Sequence, residues 1–326
     1  MIQYLIILLD DTSTSYCHYE SKAVKPNLIS LDNLKAAIVF GMKENLMIQY
    51  LYPNYELPEE YTTLIESIDH SKIIPSTLNG KKGDVVIING WDERCHIESG
   101  IAYVLRTPKN ELFSSDEDIL SAACTADRFN IVLTDVESFN DSDFYRYKAF
   151  LEKLSLSIEN LYLNGKYPQI NILTDRFMLS EMNNCGAGAS NITVAPDGRF
   201  YICPAFYYEE AVNKYMGLGG PEEAPFSVGT LKKGLSIKNQ QLYNLDHAPL
   251  CRTCDAYQCK RCIWLNRKTT YEVNTPSHEQ CVLSHLERNA ARELLHRLKG
   301  KVDFLSEINE IKEISYLDPF EVRKVW

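Results

Sequence analysis

The chain reads as lacking both a secretory signal and a membrane span at its start. The apolar run Met1 to Leu9 is short, has no basic flank and meets Asp10 and Asp11 directly. The expected compartment is therefore the cytoplasm, whose reducing conditions keep thiols free or metal-bound. Basic residues are also in deficit. Lys and Arg number 34 against 44 Asp and Glu, a formal net charge of -10, which is the wrong sign for a nucleic-acid binder and better suited to a neutral or basic partner. Low-complexity tracts and internal repeats are missing, which argues against disorder and repeat arrays. Histidines are scattered, and of His70, His96, His247, His278, His285 and His296 only His247 and His278 flank a cysteine-rich segment. At 326 residues, with 45% hydrophobic and 24% charged, the chain can bury a core without disulfide staples.

Cysteine is what the chain has in concentrated form. Four of its ten cysteines fall within Cys251-Arg252-Thr253-Cys254-Asp255-Ala256-Tyr257-Gln258-Cys259-Lys260-Arg261-Cys262. Spacings of two, four and two residues let a compact loop aim several thiolates at one centre, as a metal ion or iron-sulfur cluster requires.

The first half alternates β-rich apolar runs with helical periodicity, the pattern of βα units around a mainly parallel sheet. Strands are expected at residues 3–9, 46–52, 84–90, 131–133 and 170–173. Ser30 is placed to cap a helix bearing Leu31, Leu34, Ile38 and Met42 on one face, and Ser115 with Asp118 forms a capping-box-like start. A longer helix from about Ser142 carries Tyr145, Leu151, Leu154, Ile158 and Leu161, and stops at Gly165. Near residue 180 the texture changes. Ile192 to Val194 and Phe200 to Ile202 form an expected hairpin around Pro196-Asp197-Gly198-Arg199, residues 216–225 read as an irregular connection, and Leu283 to Leu298 as a helix ending at Lys299-Gly300.

Seven cysteines then fall in one order. Cys185 precedes Gly198 and Cys203, the four-thiol block follows, and Cys281 closes the series. This resembles the SPASM domain of radical SAM enzymes that modify peptides, with middle spacings of four and two residues where that family has five and three. The segments Tyr4 to Glu20, Ser30 to Asn54 and Cys185 to Tyr208 resemble the CXXX repeat peptide maturase family. The fold class implied is α/β: a degenerate radical-SAM-like (βα) partial barrel over residues 1–180, a C-terminal cysteine-rich SPASM-like domain over 181–300, and a tail over 301–326. The resemblance further implies two [4Fe-4S] clusters. Cys185, Cys203 and Cys262 would hold the first, its fourth position open or taken by another ligand. Cys251, Cys254, Cys259 and Cys281 would hold the second. Structural zinc is the alternative, because C-x2-C spacing serves both.

The catalytic anchor of radical SAM enzymes, C-x3-C-x2-C after the first strand, has no match. Aligned on Cys17, its other two places hold Asp10 and Thr14, and the further cysteines Cys95 and Cys124 stand alone. One thiolate does not hold that cluster, so cleavage of S-adenosylmethionine is not expected. The implied role is maturation of a ribosomally synthesised Cys-repeat peptide, with the precursor or a partner radical SAM enzyme as binding partner, and with neither nucleic acid nor membrane. The clusters would serve structure, electron transfer or ligation of a substrate thiol. Two other readings stand beside it: a stand-alone peptide-modifying enzyme built on Asp10, Asp11 and Cys17, and a zinc-stabilised peptide-binding protein.

Overall fold

A computed structural model describes residues 1–21, 23, 25–78, 83–91, 96–215, 224–305, 307–308 and 310–311. The expected connection at 216–225 falls largely outside these residues, as do Cys95 and most of the tail. The first strand, β1 (Tyr4–Leu8), is apolar on both faces, and Leu5 to Leu8 are buried. Such a strand belongs inside a parallel sheet covered on both sides.

Helix α1 (Leu31–Lys43) starts as expected, with Ser30 Oγ accepting the Asn33 amide at 3.2 Å. Its buried stripe is Leu34, Ala37, Ile38 and Gly41, whereas Leu31 is only half-buried and Met42 is 63% exposed. The reason is close packing. A Cβ at Gly41 would lie 2.7 Å from Ile48 Cδ1, so the helix turns its smallest residues toward the sheet. There follow β2 (Met47–Leu51), α2 (Glu59–Ile65), β3 (Ser71–Pro75), β4 (Val85–Asn89) and β5 (Ala102–Thr107). No helix separates β3, β4 and β5 among the described residues, so strict βα alternation is interrupted there.

Helices α3 (Lys109–Ser114) and α4 (Asp116–Thr125) abut at Ser115. The backbone of Ser115 is the hinge between them, so its hydroxyl does not cap α4 as the sequence suggests. After β6 (Arg128–Leu133), helix α5 (Asp141–Leu163) begins with a capping box at Asn140 and Asp143 and ends before Gly165 at φ +78°. Leu151, Leu154 and Ile158 are buried as expected, but Tyr145 is 73% exposed because the core stripe passes through Phe144 and Tyr147. The strand expected at 170–173 shortens to β7 (Gln169–Ile170). There the Asn171 side chain replaces the ladder, its Oδ1 accepting from Ile131 N at 2.8 Å and its Nδ2 donating to Ile131 O at 2.9 Å.

After α6 (Asp175–Met178) comes the hairpin β8 (Asn191–Val194) and β9 (Phe200–Tyr201), turned at Gly198 with φ +74°. The sheet order is β7-β6-β5-β4-β3-β2-β1-β8-β9, parallel throughout except for the β8–β9 hairpin. The hairpin is thus laid directly beside β1, pairing Ile7 with Val194. Helix α7 (Pro204–Tyr215), the two-stranded ribbon β10 (Gly229–Thr230) and β11 (Gly234–Leu235), α8 (Ile263–Thr270) and α9 (His278–Leu298) complete the fold. Helix α9 packs along α5, and no described helix is long and apolar enough to cross a membrane.

Leu154 lies fully buried in this helix–helix core and Leu156 is 59% exposed. Truncating Leu154 to Ala is expected to lower unfolding free energy by about 2–5 kcal/mol through lost transfer and a cavity, and Leu156→Ala to change it by no more than about 0.5 kcal/mol. Urea midpoints of the two variants check the contrast.

Candidate metal centre

The loop after β1 ties both carboxylate oxygens of Asp10 into hydrogen bonds. Asp10 is fully buried: Oδ1 accepts from the Thr12 amide at 2.7 Å and from its hydroxyl, and Oδ2 accepts from Tyr55 OH at 2.8 Å. Thr14 Oγ1 accepts from Asn89 Nδ2 at 3.1 Å. Asp11 accepts from Tyr207 OH and from Asn27 Nδ2, and its burial raises its pKa against those bonds. The loop continues past these carboxylates to Cys17, which lies on a different cavity.

Thiols from several elements reach that cavity, of about 470 Å³, whose walls include Cys17, Cys185, Cys203, Cys259 and Cys262. Cys17 is set by Arg106 at the end of β5, whose Nε donates to Cys17 O at 2.7 Å while its other nitrogens reach Tyr19 O and Asn89 Oδ1. Cys185 is brought in by strand-like pairing with the cysteine block: Asn183 N donates to Tyr257 O at 2.8 Å and Cys185 N to Lys260 O at 3.0 Å. Cys203 stands between β9 and α7, and Cys262 is the N-cap of α8. The resemblance implied one ligand set of Cys185, Cys203 and Cys262; these three line one cavity with Cys17 and with Cys259, which the resemblance assigned to the other set.

Cys17, Cys185, Cys203 and Cys262 feel one another. Interaction between the Cys17 and Cys262 side chains holds Cys17 well below the ordinary thiol value and pushes Cys262 well above it. Burial pushes Cys185 and Cys203 up, and the neighbouring thiols add to this. Tyr16 is raised first by burial and then by all four cysteines. Thiols gathered on one cavity, costly to ionise without a cation, form a soft donor set of the kind that holds zinc or an iron-sulfur cluster.

A second set lies nearby. Cys251, Cys254 and Cys259 interact electrostatically, and burial raises Cys251 to about 12 and Cys254 to about 11. Gln280 Nε2 approaches Cys259 Sγ at 3.9 Å, and Cys281 follows Gln280 in the first turn of α9. His285 Nε2 stands 3.7 Å from Cys254 Sγ. Sequence reasoning passed over His285 in favour of His247 and His278; the signal available was its place four residues after Cys281 on one helix, hence on the same face. Arg261, 1% exposed, sits where its charge reaches Cys185, Cys251 and Cys259. Its backbone is left-handed at φ +34°, and its guanidinium donates to Asn184 Oδ1 at 2.9 Å, to Asn274 Oδ1 and to Tyr243 O at 2.6 Å. The block is pinned to α9 by a two-pronged Arg288–Asp255 pair and by Gln258 Nε2 donating to Ser284 O at 2.7 Å. No disulfide joins the described cysteines, and among the described residues no three His, Cys, Asp or Glu side chains close on a single-ion site.

The architecture is a mostly parallel α/β sheet of nine strands including an added hairpin. Among solved structures it is similar to hexahistidine-tagged anSMEcpe with bound AdoMet, at a TM-score of 0.57 and 13% identity over 93% of this chain and 97% of that one. It is similar also to native anSMEcpe with bound AdoMet and Cp18Cys peptide, at a TM-score of 0.56 and 12% identity over 91% and 99% of the two chains. No protein-family model matches the chain, and no curated protein matches its sequence.

Glu287, on the cavity wall, accepts from Tyr147 OH at 2.8 Å and Gln258 Nε2 at 3.3 Å, and burial raises its pKa from 4.5 to about 7. The folded chain therefore binds this proton more tightly than the unfolded chain, so the associated stability is full below pH 4.5 and is lost as pH rises through about 7. In metal-free protein the wild type should lose stability relative to Glu287→Gln across that window, read from urea midpoints at stepped pH. A constant difference would contradict the assignment.

Proposed function

We propose that this chain is a maturation component for a ribosomally synthesised Cys-repeat peptide, binding the precursor or a partner radical SAM enzyme, and that it holds two iron-sulfur clusters without cleaving S-adenosylmethionine itself. The observation that carries the reading is the state of the loop after β1. The side chains at the two missing anchor positions, Asp10 and Thr14, are tied to Thr12, Tyr55 and Asn89, and the one remaining thiol, Cys17, belongs to the ring with Cys185, Cys203 and Cys262. The same bonds weigh against a stand-alone site on Asp10, Asp11 and Cys17. The shared fold with a protein crystallised with AdoMet and with a peptide supports peptide handling as the ancestral task.

The donor chemistry fits clusters better than zinc. A zinc ion draws its sulfurs to about 2.3 Å from one point. Here Cys17, Cys185, Cys203, Cys259 and Cys262 all open onto one cavity of about 470 Å³, with room for a polynuclear centre. Bound clusters would supply one-electron transfer and cross-linking of the fold. The protein's part is to bury the thiols, to set Arg261 between the two groups, and to present Tyr16, Tyr19 and Trp264 on the cavity wall as an apolar lining. On this reading residues 1–180 are the barrel-like part, 181–300 the cluster-bearing part and 301–326 a tail.

Anaerobically purified protein should contain iron and sulfide in excess over zinc, should bind a labelled CXXX peptide in fluorescence anisotropy, and should leave AdoMet intact in the presence of a strong reductant. AdoMet cleavage by this chain alone would overturn the proposal.

A further inference from the structure

We infer that Cys17 is the fourth protein ligand of the first cluster, so that the centre made with Cys185, Cys203 and Cys262 is closed by the protein and has no iron left open to a substrate thiol. The inference rests on the reading that this centre binds an iron-sulfur cluster; what it adds is the ligand count and the consequence for function. Nothing about Cys17 in the sequence places it there, since it lies 168 positions before Cys185 in a loop of its own. The placement comes from the loop turning back on the sheet. β1 pairs in parallel with β8, so the segment from Cys185 enters β8 beside the start of β1, and antiparallel β9 leads to Cys203 at that same end; the loop leaving the far end of β1 returns Cys17 to the cavity that Tyr4, Cys185, Cys203 and Cys262 line.

Cys17 is also held there from several sides. Arg106, 7% exposed, bonds to the carbonyls of Cys17 and Tyr19, and so fixes the backbone around the thiol. Tyr19 stacks on Tyr208 at 5.7 Å between ring centres, and Tyr208 OH donates to Ser13 O at 3.2 Å. Tyr16 meets Tyr19 edge-on at 5.8 Å, and His18 Nδ1 lies 2.8 Å from Leu133 O at the end of β6. A flexible loop cysteine would need none of these. Cys17 and Cys262 line the same cavity, together with Cys185 and Cys203. Ligation needs only loss of the thiol protons to solvent and formation of iron–sulfur bonds, with no oxidant or reductant.

A closed centre narrows the role of the cluster. A peptide cysteine would have to displace Cys17 to reach iron, so the centre serves structure or electron transfer, and peptide recognition falls to other surfaces.

The test compares wild type, Cys17→Ala, Cys17→Ser and Cys185→Ala, each reconstituted anaerobically. Removing one of about four anchors should cost Cys17→Ala about one iron per chain and yield a three-iron EPR signal on mild oxidation. Added 2-mercaptoethanol should alter the spectrum of Cys17→Ala and leave that of wild type unchanged. Cys17→Ser, which keeps an oxygen ligand, should retain its iron with a shifted spectrum. If both Cys17 variants match wild type in iron and EPR while Cys185→Ala does not, Cys17 is no ligand and the inference fails, although the cluster reading survives. If wild type itself takes up no iron and sulfide, the cluster reading fails instead. Circular dichroism of the metal-free variants separates loss of a ligand from loss of the fold, since a Cys17→Ala chain that folds normally yet holds a full cluster counts against the inference.

Discussion

The structure depends on one costly arrangement: thiols from separate parts of the chain, half-buried or buried, lining the same cavity. Burial pushes Cys185 and Cys203 up, and mutual proximity penalises ionising more than one of the set. Without a cation the set gains nothing from being assembled. With a positively charged iron centre the same burial becomes favourable, because metal ligation ionises thiols and releases their protons. Arg261 belongs to the same logic. A buried guanidinium in a left-handed backbone is expensive twice over, and it is kept where its charge reaches thiols of both sets.

Much of the frame was legible from local pattern. The Ser30 cap, the hairpin turned at Gly198 and the long helices before Gly165 and Lys299 follow from caps, turn residues and periodicity, all of which act within a few residues. What failed locally did so for tertiary reasons. The buried stripe of α1 follows the close approach at Gly41, β7 is cut short by the Asn171 side chain, and Tyr145 is exposed because α9 packs against a neighbouring stripe of α5.

The site was legible in the same uneven way. The two ligand sets, Cys185, Cys203 and Cys262, and Cys251, Cys254, Cys259 and Cys281, came from the family resemblance of the cysteine order. The place of Cys17 is a property of the tertiary fold: the loop after β1 turns back to a cavity that Cys185, Cys203 and Cys262 also line, which no spacing rule reports. His285 is intermediate, since its approach to Cys254 requires both the helical period from Cys281 and the docking of the block by Arg288 and Gln258. The carboxylates looked reactive as a sequence pair and are consumed by the fold, Asp10 by Thr12 and Tyr55 and Asp11 by Tyr207 and Asn27.

The proposed lineage is then a barrel whose catalytic loop gave its last thiol to an auxiliary centre. Anomalous diffraction at the iron edge, from crystals of anaerobically prepared protein, would locate the metal directly. Two iron peaks are expected, one bonded to the sulfurs of Cys17, Cys185, Cys203 and Cys262 and the other beside Cys251, Cys254, Cys259 and Cys281. A first peak with Cys17 outside bonding distance, or anomalous signal at the zinc edge alone, would contradict this assignment.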